Sequence, residues 1–139
     1  MMQQSSYDHV VVVSAVLLID AAGRILTVRK QGTQRFMLPG GKLEPGESPK
    51  QAALRETQEE IGVDLDPEQV EFMGEFLADA ANESGWGVKA YVFWHRGIPE
   101  FRLNNEIAQS RILDPNDPLP DDLAPLLEDV LLPALGASA

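Results

Sequence analysis

The order of predicted elements along the chain indicates an α+β fold, an α/β/α-like sandwich with a mixed β-sheet. Strand-like runs lie on both sides of one strongly capped helix, and an amphipathic segment follows near the carboxyl end. The chain has 139 residues, enough to bury one substantial core but not two independent cores. We therefore predict a single domain over residues 1–139.

The strands are predicted from short apolar runs bounded by turn residues. Two β-branched runs, residues 10–19 and 24–29, flank a turn that ends at Gly23, and this pattern predicts a β-hairpin. Runs at residues 70–77 and 87–95 predict two more strands, the second with apolar residues at alternate positions. Residues 101–103 predict a short last strand.

The clearest helix signal covers Pro49–Ile61. Ser48 supplies an N-cap, Pro49 occupies the favoured first helical position, and Gln51 completes a capping box. Gly62 can end the helix at the C′ position, where a left-handed backbone favours glycine. We expect this helix to be well defined at both ends.

A second helix is predicted at the carboxyl end of the chain. Residues 114–122 are rich in proline and aspartate, which predicts a loop. Beyond this loop, apolar residues recur at helical spacing; they are Leu123, Leu126, Leu127, Val130, Leu131 and Ala134.

Charge and composition limit the classes of function. The 11 Lys and Arg residues against 22 Asp and Glu residues give a formal net charge of -11, which disfavours binding of a nucleic-acid duplex through a basic surface. A phosphate ligand would therefore have to arrive with metal ions. The absence of cysteine excludes thiolate metal sites and cysteine nucleophiles. Because no apolar run approaches the roughly 18 residues of a membrane span, we predict no membrane partner and, by default, a cytoplasmic location.

Three carboxylates share one face of the predicted central helix. Glu56, Glu59 and Glu60 stand at positions i, i+3 and i+4, so their side chains project within one turn of each other. The like charges repel, and a hard divalent cation such as Mg²⁺ would compensate them through carboxylate and carbonyl oxygens. Taken alone, the same pattern also fits a solvated acidic helix face.

The loop before this helix decides between these interpretations. A glycine-containing loop, a cap and an acidic face follow in an order that resembles the Nudix box, G-x5-E-x7-R-E-U-x-E-E-x-G-U with U aliphatic. Residues 41–63 fit this motif at the fixed positions Gly41, Glu47, Arg55, Glu56, Glu59, Glu60, Gly62 and Val63. Thr57 replaces an aliphatic residue, but its β-branched methyl can still pack there.

The resemblance implies roles for the residues of the motif. It implies that a divalent metal, Mg²⁺ or alternatively Mn²⁺, is bound by Glu56, Glu59, Glu60 and the carbonyl of Gly40. Arg55 is expected to pair with Glu47 and to hold the loop against the helix. The implied reaction is the attack of a metal-activated water on a phosphorus atom. The catalytic set is accordingly Glu47, Arg55, Glu56 and Glu59.

The general base has several candidates. Glu56 is the candidate within the motif, as the resemblance implies. Some relatives carry the base on a loop outside the box, and Glu83, Glu100 or Glu106 could serve here. The sequence leaves these alternatives open.

Four residues outside the acidic face are predicted to contact substrate. Arg35 and Lys42 could hold phosphates, although both could equally be solvated charges. Trp86 could stack on a base, although tryptophan beside a strand more often serves packing. Asn116, or Asp117 beside it, could bind the base edge, since relatives that act on nucleoside triphosphates use a polar residue before the last helix; both are equally plausible as turn residues.

The resemblance predicts an enzyme that cleaves phosphoanhydride bonds in nucleoside diphosphate-linked compounds. A (deoxy)nucleoside triphosphate pyrophosphohydrolase of the MutT-like branch is expected, acting as a monomer or homodimer on a small nucleotide. The alternatives are an ADP-ribose or ADP-sugar hydrolase, a dinucleoside polyphosphate hydrolase, and a catalytically silent nucleotide sensor. Marker residues that relatives of the first two kinds tend to carry beyond the box are missing from residues 77–80. A silent domain usually loses box glutamates, whereas this chain retains them all.

Overall fold

The computed structural model describes residues 7–80 and 84–136. Its six strands are β1 (His9–Ile19), β2 (Ile25–Lys30), β3 (Gly40–Lys42), β4 (Val70–Asp79), β5 (Trp86–Arg96) and β6 (Ile107–Leu113). Its helical elements are α1 (Pro49–Ile61), a short 3-10 helix (Pro67–Gln69), a π-helical segment (Leu126–Leu131) and α2 (Leu132–Ala134). No helix within the described residues is long and apolar enough to cross a membrane.

The six strands form one mixed sheet, as predicted. The strand order is β4-β5-β1-β2-β6, and the short β3 pairs with β1 outside this path. Strands β1 and β5 run parallel, whereas the other neighbouring pairs are antiparallel. The predicted hairpin is present as β1 and β2. Strand β1, which like β5 has 11 residues, therefore lies at the centre of the sheet.

The core consists of two apolar clusters, one on each face of the sheet. Successive β1 side chains point to opposite faces, so Ala15 and Leu17 join one cluster while Val16 and Leu18 join the other. The C-terminal helical segment covers the first cluster, and α1 covers the second. Burial on both faces explains the continuous apolar run from Ala15 to Leu18 in the second half of β1. The arrangement confirms the predicted sandwich.

Helix α1 has the predicted bounds and both predicted caps. The Ser48 hydroxyl accepts a hydrogen bond from the Gln51 N–H at 3.1 Å, and the Gln51 side chain accepts one from the Ser48 N–H at 2.9 Å. Gly62 adopts a left-handed φ of 68° at the end of the helix. Thr57 is buried and donates its hydroxyl to the Ala53 carbonyl at 2.8 Å, so its polar atom is satisfied within the helix.

The predicted strand at residues 101–103 is wrong. This segment is irregular, because its N–H groups serve the end of α1 instead of a strand ladder: Arg102 donates to the Ile61 carbonyl and Asn104 to the Glu60 carbonyl. The strand that follows, β6, was not predicted. It pairs with β2 at the edge of the sheet, where mixed polar and apolar residues weaken the alternation of a strand.

The C-terminal helix is present but begins later than its apolar stripe suggests. Leu123 is fully buried before the helix starts, where it forms a bridge with Phe36. The widened π-helical turns then bury Leu127 together with Leu132, five residues later, while Ala134 is exposed. The predicted loop at residues 114–122 is confirmed.

Candidate active site

The loop at residues 40–47 is held against the centre of the sheet. Strand β3 pairs with β1 in a register that places Gly40 opposite Ala15 and Gly41 opposite Ser14. A Cβ atom on Gly40 would lie 2.2 Å from the Ser14 carbonyl oxygen, so a side chain cannot fit at this position. The Ser14 hydroxyl also donates to the Pro49 carbonyl at 2.7 Å, which fixes the start of α1 beside the same strand.

Gly41 allows a carboxylate of α1 to contact the loop backbone. A Cβ atom on Gly41 would lie 2.5 Å from Oε2 of Glu56. The Glu56 side chain is therefore packed directly onto the loop, and it is 15% exposed. A side chain at position 41 would therefore displace the Glu56 carboxylate from the loop.

Arg55 joins the loop to the acidic face of α1. Its Nε and Nη2 atoms donate to the two carboxylate oxygens of Glu47 at 2.6 and 2.9 Å, as the sequence predicts. The Nη1 atom contacts Glu56 at 3.1 Å and Glu59 at 3.3 Å, and Nη2 also donates to the Lys42 carbonyl at 3.1 Å. One guanidinium thus orients the loop and two of the predicted metal ligands.

Glu47 is an anion that holds the loop rather than a group that exchanges protons. Its hydrogen bonds from Arg55 and from the Glu44 N–H lower the pKa of Glu47 to about 2. The same contacts raise the pKa of Arg55 above its ordinary value. Both groups are therefore charged throughout the physiological pH range, which suits a positioning role for Glu47 and Arg55.

Glu60 is the most deeply buried carboxylate of the acidic face. It is 1% exposed, and its Oε1 atom accepts a hydrogen bond from the Gly40 N–H at 3.2 Å. Its Oε2 atom lies 3.1 Å from Nζ of Lys30, which also donates to the Gly40 carbonyl at 2.8 Å. Burial raises the pKa of Glu60 to about 7, although the ammonium of Lys30 opposes this shift.

The three carboxylates of the acidic face pair with two different cations. The sequence predicted instead that they converge on one metal position. Glu56 and Glu59 contact Arg55, whereas Glu60 turns to Lys30, since separate cations relieve the repulsion between like charges. Within residues 7–80 and 84–136, no three acidic or histidine side chains are already gathered around a common metal position.

The donor atoms nevertheless fit a hard divalent metal. The ammonium of Lys30 lies within 3.1 Å of a carboxylate oxygen and a main-chain carbonyl oxygen, the ligand types that Mg²⁺ and Mn²⁺ prefer. This ammonium is a stand-in cation at the point where the sequence predicts metal. Residues Gly40, Glu56, Glu59 and Glu60 would hold the metal.

A cleft of about 350 Å³ opens beside these groups. Lys30, Gly40, Gly41 and Lys42 line it together with Asp79 and Trp86. The apolar part of its wall includes Val13, Ala15, Met37, Leu38, Val88 and Leu126. The cleft is thus mostly apolar with a few charged side chains in its wall, as in many small-molecule sites.

Comparison with known proteins identifies the family. A family model described as the NUDIX domain matches residues 8–133. The chain belongs to the Nudix family. Its sequence is 30% identical over 115 residues to a CTP pyrophosphohydrolase from Escherichia coli (strain K12), an alignment that covers 78% of this chain and 79% of that protein. The Nudix assignment confirms the resemblance found in the sequence.

Two further comparisons agree with the Nudix assignment. The chain is 37% identical over 59 residues to an RNA pyrophosphohydrolase from Marinomonas sp. (strain MWYL1), covering 42% of this chain. That alignment spans only 35% of the relative's length. A crystal structure of a MutT/nudix family protein from Enterococcus faecalis superposes with a TM-score of 0.74 at 20% identity, covering 97% of this chain and 64% of that chain. At this identity the structural likeness shows the fold alone.

The Nudix fold brings two of the four predicted substrate contacts to the cleft. Lys42 and Trp86 line it, and the Trp86 ring also packs against His9 with a centroid distance of 4.5 Å. Arg35 instead donates to the Leu123 carbonyl at 2.9 Å, and the Asn116 N–H donates to Asp114 within a turn. Neither of these two belongs to the cleft wall.

Lys30 contacts two proposed metal ligands but was not predicted from the sequence to belong to the site. It ends a strand beside Arg29, and nothing in the local pattern distinguishes its charge from a solvated one. Only the pairing of β3 with β1, together with the helix packed on that sheet, brings Gly40 and Glu60 to the end of β2. A buried acidic residue in the Nudix box, which requires a counter-charge, is the signal that could have led to it.

The three candidate general bases outside the box, Glu83, Glu100 and Glu106, lie in different parts of the chain. Glu83 lies outside the described residues. Glu100 lines a surface hollow at the end of α1 that also includes Glu59 and Gly62. The Glu106 carbonyl accepts a hydrogen bond from the Gln31 N–H at 2.8 Å, directly after Lys30 in the chain. Among the described loop candidates, Glu106 is therefore the one tied to the strand end that bears Lys30.

Proposed function

We propose that this chain is a metal-dependent hydrolase of nucleotides that cleaves phosphoanhydride bonds. The observation that carries the proposal is the meeting of Glu60 and the Gly40 carbonyl at one cation position beside Glu56, next to a mostly apolar cleft. A nucleoside would lie against the apolar part of this cleft, with its phosphates toward Lys30, Gly40 and Lys42. Family membership supports the same class of reaction.

The residues of the chain have separate roles in the proposed reaction. A divalent metal, Mg²⁺ or Mn²⁺, would supply charge neutralisation at the phosphates and lower the pKa of an attacking water. Arg55 and Glu47 keep the loop in contact with α1. Glu56 remains our candidate for accepting the proton of the water, with Glu106 as the alternative on the loop before β6.

Nucleoside or deoxynucleoside triphosphates are the substrate class that we propose. The relative aligned over most of both chains is named a CTP pyrophosphohydrolase. Trp86 offers an aromatic surface in the cleft, and Lys42 offers a cation near the proposed metal position. The net charge of -11 repels a bare polyanion, so the substrate is expected to be the metal complex of the nucleotide.

The acidic chain argues against the 5′ end of an RNA as the preferred substrate. RNA pyrophosphohydrolases match this chain over only about a third of their own length. Binding of a long RNA also benefits from basic side chains along its backbone, and acidic residues outnumber basic ones here by 22 to 11. A free nucleotide needs far fewer such contacts.

We expect triphosphates to be cleaved to a monophosphate and pyrophosphate faster than ADP-ribose is cleaved. In the reaction, the water oxygen bonds to phosphorus, one phosphoanhydride P–O bond breaks, and the water protons pass to the base and the products. Chromatography of products from a panel of nucleotides and ADP-ribose, with Mg²⁺ and with a chelator, measures this preference. Efficient conversion of ADP-ribose to AMP and ribose phosphate with intact triphosphates would refute the substrate class. Binding without turnover anywhere in the panel would indicate a silent sensor.

A further inference from the structure

The ammonium of Lys30 occupies a position that two of the proposed metal ligands share. Its Nζ atom is 2.8 Å from the Gly40 carbonyl oxygen and 3.1 Å from Oε2 of Glu60. In the metal-free protein, this one ammonium therefore neutralises the buried Glu60 carboxylate and donates a hydrogen bond to the Gly40 carbonyl. Without such a partner, a charged Glu60 at 1% exposure would be costly to bury.

The ammonium and a divalent metal cannot both bind these two oxygens. Mg²⁺ binds its oxygen ligands at about 2.0–2.1 Å, so a metal on the Gly40 carbonyl would lie no more than about 5 Å from Nζ in its present position. Both groups are positively charged and would compete for the same two oxygen atoms, so they repel each other at this distance. Entry of the metal therefore requires the ammonium to leave.

Lys30 is free to leave in a way that Arg55 is not. The Lys30 side chain is 32% exposed, has a flexible four-carbon stem and lines the cleft, so the ammonium has space to move into. Arg55 instead engages Glu47 through two hydrogen bonds and donates to the Lys42 carbonyl. The Lys30 ammonium can therefore be exchanged for another cation, whereas the Arg55 guanidinium is fixed in the structure.

We propose that Lys30 is a built-in placeholder for the metal: it holds Glu60 and the Gly40 carbonyl in position in the metal-free protein, and the incoming divalent cation displaces it. This inference rests on the proposed metal site. Lys30 then acts as a positioning residue that sets metal affinity. It stabilises the metal-free state and thereby weakens the binding of any metal that must replace it.

The test is metal binding to Lys30→Met, measured by titration calorimetry with Mg²⁺ alone at pH 8. We expect the Kd for Mg²⁺ to fall about tenfold, since a competing cation has been removed. We also expect a lower melting temperature for the metal-free variant. Lys89→Met is the matched control, because Lys89 also lies 3.1 Å from a glutamate oxygen but in an exposed pair with Glu75. Its Mg²⁺ affinity should equal that of the wild type.

The outcomes separate this inference from the proposed function. Failure of the wild type to bind Mg²⁺ would overturn the proposed metal site itself. Wild-type binding together with unchanged or weaker binding by a folded Lys30→Met variant would overturn only the placeholder role. Should that variant not fold, the ammonium signals of ¹⁵N-lysine in the wild type decide. We expect the Lys30 signal to shift at saturating Mg²⁺ and the Lys89 signal to stay; an unmoved Lys30 signal contradicts displacement.

Discussion

Replacing Glu60 with glutamine is expected to reduce turnover by about 100- to 1,000-fold at saturating Mg²⁺. The amide keeps the size of the side chain but removes the charge of a proposed metal ligand. The exposed Glu59 should behave in the same way, as Glu59→Gln. Initial rates with a nucleoside triphosphate measure the loss. Glu75→Gln is the control, since it removes an equivalent charge from the exposed pair with Lys89 and should leave the rate unchanged.

The same Glu60→Gln substitution should leave the fold intact. Because the pKa of Glu60 is raised to about 7 from its ordinary 4.5, the folded protein binds this proton more tightly than the unfolded chain does. The free energy of unfolding of the metal-free wild type should therefore fall between pH 5 and pH 8, by on the order of 2 kcal/mol from this group. The variant should lack that fall. Urea denaturation at both pH values in a chelator measures the difference.

Either half of this prediction can fail. Near-native turnover of Glu60→Gln or Glu59→Gln would show that the acidic face is not the metal site. An equal dependence of stability on pH in the wild type and Glu60→Gln would show that Glu60 does not carry the raised pKa. The two results are independent, because the first concerns the loaded enzyme and the second the metal-free protein.

Removal of the Arg55 guanidinium is expected to lower turnover by about 100-fold in Arg55→Ala, with a smaller loss of metal affinity. The substitution deletes the two hydrogen bonds that hold Glu47 and the contacts that orient Glu56 and Glu59. It removes no proposed metal ligand, so metal affinity should fall less than turnover. Steady-state rates and calorimetry with Mg²⁺ measure the two losses.

Arg111→Ala provides the matched control for Arg55→Ala. Arg111 also forms a two-pronged pair with a carboxylate, through contacts of 2.6 and 3.1 Å to Asp122, but it lies outside the Nudix box. Its removal should reduce stability with little change in turnover per folded molecule. Equal losses of rate and metal affinity in Arg55→Ala would instead make this guanidinium part of the electrostatics of the metal site.

Local signals predicted the helix that carries the site. The capping box at Ser48 and Gln51, the proline at the first position and the glycine at the end act within one turn of α1, so they can be recognised without tertiary information. The pair between Arg55 and Glu47 followed from the resemblance to the box. Its geometry is present because a loop and the helix that follows it are necessarily neighbours.

Features that depend on distant packing could not be predicted in this way. Strand β6 lacks a clear alternation because it lies at the sheet edge, and the 101–103 segment resembles a strand although Arg102 caps α1. Lys30 reaches Glu60 across 30 positions of the sequence only through the pairing of the sheet. The contact of Arg35 with the Leu123 carbonyl was also not predictable, because it depends on how the C-terminal segment packs against the sheet.

A titration of ¹⁵N-labelled wild-type protein with Mn²⁺ is the most direct test of where the metal binds. A paramagnetic ion broadens the amide signals nearest to it, so the position of the metal can be read without assuming any mechanism. We predict that signals from Gly40, Gly41 and the turn of α1 that carries Glu59 and Glu60 disappear first, at substoichiometric Mn²⁺. Broadening centred on the aspartate-rich loop at residues 114–122, with the signals of Gly40 and Gly41 unaffected, would contradict it.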